Sequence, residues 1–90
     1  MTKKELIAAI AERTDLTQVQ SESALNAMTD IIADTMKDGD KVFITSFGTF
    51  EPRERAARKG RNPRTGETID IPASINPAFK ASKKLKEHLN

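Results

Sequence analysis

Between Phe50 and Ile69 the chain offers few large apolar residues, and this stretch limits what the remainder can fold into. It begins with a basic run, Arg53, Arg55, Arg58, Lys59 and Arg61, reaches Asn62-Pro63-Arg64-Thr65-Gly66, and returns through Ile69, Asp70, Ile71 and Pro72. Asn-Pro favours turn initiation: proline presets φ and the asparagine side chain can bond nearby backbone. Gly66 supplies a permissive φ on the way out. Two extended limbs joined by a tight reversal are therefore expected over about residues 51–75. They cannot bury themselves in a core, so they project into solvent as an arm whose outer part is dominated by cations.

Ninety residues make one small domain, 1–90, and a quarter of it spent on a solvated arm leaves little for a core. Small scaffolds compensate with disulfides, metal or oligomerisation. The chain has no cysteine, and its single histidine, His88, has no clustered carboxylates beside it, so neither a metal site nor any other cofactor is expected. Oligomerisation remains, and a dimer is implied. Residues 1–50 carry five Lys/Arg against eight Asp/Glu, whereas residues 51–90 carry ten against five. A near-acidic scaffold presenting a cationic second half suits a polyanion, nucleic acid first and an anionic membrane second. Met1-Thr2-Lys3-Lys4-Glu5 leads into no uncharged signal-peptide core, and no uncharged run approaches the ~18 residues of a membrane span. A soluble, cytosolic protein with no membrane partner is expected.

Thr2-Lys3-Lys4-Glu5 fits a capping box, in which the threonine oxygen and the Glu5 carboxylate each satisfy an orphan backbone N–H. Leu6, Ile7 and Ile10 follow at helical spacing, predicting a helix from about Lys3 to Arg13. Thr14-Asp15-Leu16 breaks it, and Thr17-Gln18-Val19-Gln20 is a second capping box opening a longer helix. Leu25, Met28, Ile32 and Met36 mark its apolar stripe, widened by Ala24, Ala27 and Ile31. Gly39, in Asp38-Gly39-Asp40, suits a left-handed cap. Core and dimer packing is the preferred role for both helices. A helix-turn-helix would send the second into a major groove, but that helix carries Glu22, Asp30 and Asp34 and no cation before Lys37. An acidic helix is repelled by phosphates.

From Lys41 the period changes to two: Val42 and Ile44 alternate with Phe43 and Thr45, and Ser46-Phe47-Gly48-Thr49-Phe50 reads as a tight glycine-containing connection into a longer strand. Phe47, Phe50 and Phe79 are read as a shared core, with Ile44 on the same side; Phe43 alternates to the opposite face. An aromatic platform for single-stranded bases ranks below that reading, because the phenylalanines stand apart from the cations in sequence. On the outgoing limb Arg53 and Arg55 share a face, which Lys59 continues if the strand stays regular, while Arg58 and Arg61 flank the bend. Ser82 is placed to cap a last helix loaded with Lys83, Lys84, Lys86 and His88, behind Lys80. Lysines there complement the helix dipole and also form a basic flank.

Ser46-Phe47-Gly48-Thr49-Phe50, Ala57-Arg58-Lys59-Gly60-Arg61-Asn62-Pro63, Thr65-Gly66 and Pro77-Ala78-Phe79-Lys80 together resemble the signature segments of the bacterial HU proteins, histone-like DNA benders related to integration host factor. The resemblance spans the whole chain. It implies an α+β fold: an intertwined homodimer with the N-terminal helix pair under a β-saddle, a protruding two-stranded arm and a short C-terminal helix. It implies a dimer core of Leu25, Met28, Ile32, Met36, Ile44, Phe47, Phe50 and Phe79. Arg53, Arg55, Arg58, Lys59, Arg61 and Arg64 would line the arm against phosphates and the minor groove. Pro63 would be the wedge between base pairs, with Asn62 helping to place it. Lys3, Lys80, Lys83 and Lys86 would form a flank for bent DNA. Proline suits a wedge, being apolar, rigid and without an N–H to leave unpaired. Ser46 and Ser82 stand where HU proteins commonly have glycine, Phe43 where a polar residue is typical, and Pro52 where a β-former is usual. Pro52 therefore predicts a bend or an edge position.

The function implied is non-enzymatic binding of double-stranded DNA, largely without sequence specificity, in the cytoplasm and associated with the nucleoid. Nicked, gapped or already bent DNA would be favoured, because part of the deformation is already made. The alternatives are a sequence-preferring bender of the integration host factor type, a bacteriophage-type HU homologue, and an RNA-associated basic protein. No glycine-rich phosphate loop, second histidine or paired-carboxylate site supports catalysis.

Overall fold

Threonines start both N-terminal helices. In α1 (Lys3–Arg13) the Thr2 hydroxyl accepts from the Glu5 N–H at 3.3 Å. The expected return half of that box is not made: Thr2 Oγ1 instead donates to Glu5 Oε1 at 3.4 Å, so the carboxylate is held by a side chain rather than by backbone. In α2 (Gln18–Lys37) both halves form, Gln20 N–H to Thr17 Oγ1 at 3.1 Å and Thr17 N–H to Gln20 Oε1 at 2.9 Å. Between them the Thr14 hydroxyl donates to the Ile10 carbonyl at 2.7 Å and accepts from the Leu16 N–H at 3.2 Å, closing one helix and turning the chain toward the next. The far end of α2 is a Schellman motif. Gly39, at φ +84°, donates to Met36 O, and Asp40 donates to Thr35 O.

The computed structural model describes residues 1–90 as two units, Met1–Asp34 and Thr35–Asn90. The first holds α1 and most of α2. Ile7, Leu25 and Ile32 are its buried apolar side chains, and Ser21 is wholly buried with its hydroxyl donated to the Thr17 carbonyl at 2.8 Å.

The second unit is built on β1 (Val42–Ile44), β2 (Gly48–Arg55), β3 (Arg58–Arg61), β4 (Thr68–Ile71), β5 (Ser74–Ala81) and α3 (Lys83–Leu89). β1, β2 and β5 form an antiparallel sheet in that order, and β3 pairs with β4. The connection from β1 to β2 is Thr45-Ser46-Phe47, closed by the Phe47 N–H on the Ile44 carbonyl at 3.0 Å. The expected glycine is not in it. Gly48 is already the first residue of β2, and it is Ser46 that takes the positive φ, +68°. Gly48 is required by crowding instead, because a Cβ there would stand 2.6 Å from both the Lys80 carbonyl oxygen and the Phe79 ring.

Alternation sorts the sheet into two faces. Val42, Ile44, Phe50 and Phe79 share one, where Phe50 and Phe79 meet at 4.8 Å between ring centroids and Phe47 joins Phe79 at 5.3 Å. The trio expected from the sequence is thus assembled, yet Phe47 and Phe79 each remain 42% exposed within the single chain. Phe43, Thr49 and Lys80 are cross-strand partners in one row on the other face.

Candidate nucleic-acid interface

Beyond Phe50, β2 and β5 continue without β1, and this two-stranded ribbon carries the basic run outward. Its hydrogen-bond phase can be followed from either end. Ser82 N–H donates to the Phe47 carbonyl at 2.9 Å, just before Gly48 pairs with Ala81. Hydrogen-bonded pairs alternate along an antiparallel ladder, so Thr49, Glu51, Arg53 and Arg55 occupy hydrogen-bonded positions. Pro52, opposite Pro77, falls between them, at a pair where the ladder asks neither residue for an N–H. The side of β2 to which Pro52 would donate is the one β1 has vacated. The edge position predicted for Pro52 is therefore met without a break.

Pro72 has the opposite effect. The register passes unchanged from Arg55↔Ser74 to Arg58↔Ile71, which sets Ala57 opposite Pro72. The phase of β2 would make that pair hydrogen-bonded, and Pro72 has no N–H to give. The ladder accordingly stops over Ala56-Ala57 and Pro72-Ala73. At the far end Asn62 N–H donates to the Glu67 carbonyl at 2.8 Å, so Asn62, Gly60 and Arg58 hold the hydrogen-bonded positions of β3. The alternation has slipped by one residue on each strand. The two extended limbs expected from the sequence are thus each interrupted once. Arg58, rather than Lys59, keeps the phase of Arg53 and Arg55, because the condition of a regular strand fails at Pro72.

Side chains in the outer ribbon divide accordingly. Lys59 stands opposite Asp70 and Arg61 opposite Thr68 on one face. Arg58, Gly60, Ile69 and Ile71 share the other, where a Cβ on Gly60 would meet Ile71 Cδ1 at 2.8 Å. That apolar strip escaped the sequence reading, although the alternation Ile69-Asp70-Ile71 was its signal.

The tip is held by its own backbone. The Arg64 N–H donates to Asn62 Oδ1 at 2.9 Å across Pro63, and the Gly66 N–H donates to the Asn62 carbonyl at 2.8 Å. Gly66 lies at φ +75°, as the turn requires, and the Glu67 N–H adds a bond to Thr65 Oγ1 at 3.3 Å. Pro63 is left exposed at the outermost point, between two residues that fix its orientation.

Among the site residues, Arg53 is paired with Glu51 at 3.3 Å and Lys83 with Glu87 at 3.8 Å, both solvent-exposed contacts of little energetic weight. Arg55, Arg58, Lys59, Arg61, Arg64, Lys80 and Lys86 have no acidic partner within 4.0 Å. Lys80 lies in β5, and Lys83 and Lys86 on α3, whose Ser82 cap accepts from the Leu85 N–H at 3.1 Å. Lys3 opens α1, in the other unit.

Comparison with known proteins gives consistent results. The family model described as bacterial DNA-binding protein matches residues 1–90. The DNA-binding protein HU of Staphylococcus aureus (strain COL) is 55% identical over 87 residues, 97% of each chain. The structure of an Anabaena HU–DNA cocrystal superposes with a TM-score of 0.87 at 45% identity, covering 99% of this chain and 97% of that one. An HU mutant from Thermotoga maritima superposes over the full length of both chains, with a TM-score of 0.74 at 28% identity.

Proposed function

This chain belongs to the bacterial DNA-binding protein family, that of HU, and from that membership we propose that it is a histone-like architectural protein. Its fold is the HU fold: two N-terminal helices, a sheet whose strands run on into a hairpin arm, and a short C-terminal helix. It binds double-stranded DNA largely without sequence specificity, bends it, and performs no catalysis. The observation that carries this reading is the arm: an exposed proline locked at the tip of a ribbon whose cations are mostly unpaired.

Arg53, Arg55, Arg58, Lys59, Arg61 and Arg64 neutralise phosphates along the minor groove while Pro63, aimed by Asn62, enters a base step. Unstacking costs a few kcal/mol per step, a magnitude general to minor-groove benders including HU. It is offset by phosphates that the bent duplex brings to Lys3, Lys80, Lys83 and Lys86. Free cations favour this exchange, since a side chain already paired must break that pair before it meets a phosphate. Nicked or gapped duplexes bind more tightly because they resist bending less. The sequence-preferring, integration-host-factor type of bender is not favoured, since the relatives are named HU.

The working form is a homodimer. The single chain leaves large apolar side chains such as Phe47, Phe79 and Met28 exposed, and a second copy covers them. No helix is long and apolar enough to cross a membrane, and the protein acts in the cytoplasm on the nucleoid.

Binding isotherms on random-sequence, intact and nicked duplexes across a salt series test the proposal. Log K should fall with log salt by about 0.9 per phosphate neutralised, and the nicked duplex should bind more tightly at each salt. A salt-independent isotherm, or displacement by structured RNA at lower concentration than by duplex, would overturn it.

A further inference from the structure

The sheet surface facing away from the phenylalanine cluster carries one large apolar side chain, Phe43, which is 67% exposed and in contact with none of the other three rings. Its neighbours there are Thr49 and Lys80 in the same cross-strand row, then Glu51, Arg53 and Arg55 along β2. Glu51 is held by Arg53 at 3.3 Å, leaving Lys80 and Arg55 unpaired. The surface is therefore cationic, with an exposed ring set into it. Core packing does not account for that ring, because Val42 and Ile44, its flanking residues, turn the other way.

We propose that Phe43 is a DNA-contacting residue, packing its ring against the deoxyribose and base edges of a duplex that crosses this cationic sheet face. The inference rests on the reading of the protein as a duplex binder, which already brings the duplex to Lys80, and adds an uncharged contact beside that lysine. Charge complementarity selects the occupant. Lys80, in the same row, draws phosphates to the face, and the groove walls between phosphates are sugar and base carbon that an aromatic ring desolvates well. A second copy seating this same face against it would oppose Lys80 and Arg55 to their own counterparts and is disfavoured by repulsion.

The ring contributes apolar contact and no charge, so its removal separates from removal of a cation. Phe43→Gln should weaken duplex binding about five- to tenfold at every salt concentration, with the salt slope unchanged. Phe43→Leu should recover most of the loss, and Lys80→Ala should weaken binding while lowering the slope by about one. The chain has no tryptophan or tyrosine, so Phe43→Trp supplies a lone indole reporter. Its emission should be that of a solvated indole in the free protein and should be quenched at saturating duplex. Parental affinity in Phe43→Gln, or an indole unmoved by bound duplex, overturns the proposal. So does an indole already blue-shifted without DNA, which would place a second copy over this face. If the parent protein itself fails to bind duplex, the functional reading fails instead, whatever the indole reports.

Discussion

Ser46 holds a left-handed backbone, φ +68°, in the connection from β1 to β2. A non-glycine residue is strained there by roughly 1–2 kcal/mol, partly relieved because a short polar side chain can bond locally. Ser46→Gly should therefore raise unfolding free energy by about 1 kcal/mol, after allowance for the extra freedom glycine gives the unfolded chain. Two residues on, the logic reverses. Gly48→Ala places a methyl group 2.6 Å from the backbone oxygen of Lys80, which cannot swing aside as a side-chain end could. A loss of about 1–3 kcal/mol is expected, since overpacking displaces β5 from β2. Denaturant titration of both variants reads the two signs. That Ser46-Phe47-Gly48 turns the chain was legible from residue identity; that the positive φ falls on Ser46 and the crowding on Gly48 depends on where the strand begins.

The arm is two ribbons in one register, separated where Pro72 withholds an N–H from the ladder. Pro52 and Pro77 cause no such break, because they face each other at a non-hydrogen-bonded pair. Three prolines along the same ribbon thus have different consequences by parity alone. Pro72→Ala restores the missing donor, and amides of residues 56–58 and 71–73 should then exchange more slowly with solvent. Hydrogen-exchange mass spectrometry would show unchanged protection if the gap had another cause. At the tip, Pro63→Ala keeps the Asn62–Arg64 bond and every cation, so it should reduce the bend of a bound duplex more than its affinity. Fluorescence transfer between labelled duplex ends measures the bend, and an unaltered bend would remove the wedge.

For the protein as an assembled object, the governing fact is how little one chain buries: Ile7, Leu25 and Ile32 are its only buried large apolar side chains. A chain of this length lacks the interior to offset the entropy of ordering about 90 residues. The proposed homodimer would supply it if a second copy covered exposed apolar side chains such as Phe47, Phe79 and Met28. Folding coupled to association makes stability depend on concentration, so the melting temperature should rise as protein is concentrated. A melting temperature constant over a hundredfold dilution would mean that the single chain is sufficient.

Helix ends, the reversal at Asn62-Pro63 and the cationic arm could all be read along the chain. Each depends on interactions within a few residues, or on a periodicity that any window exposes. What needed the folded chain was the pairing of distant strands. Whether a proline breaks a ladder, which face an arginine takes, and why Gly48 admits no side chain all depend on what lies opposite in space. Residue identity does not carry that information, because hydrogen-bond phase and close packing belong to pairs of strands rather than to either one.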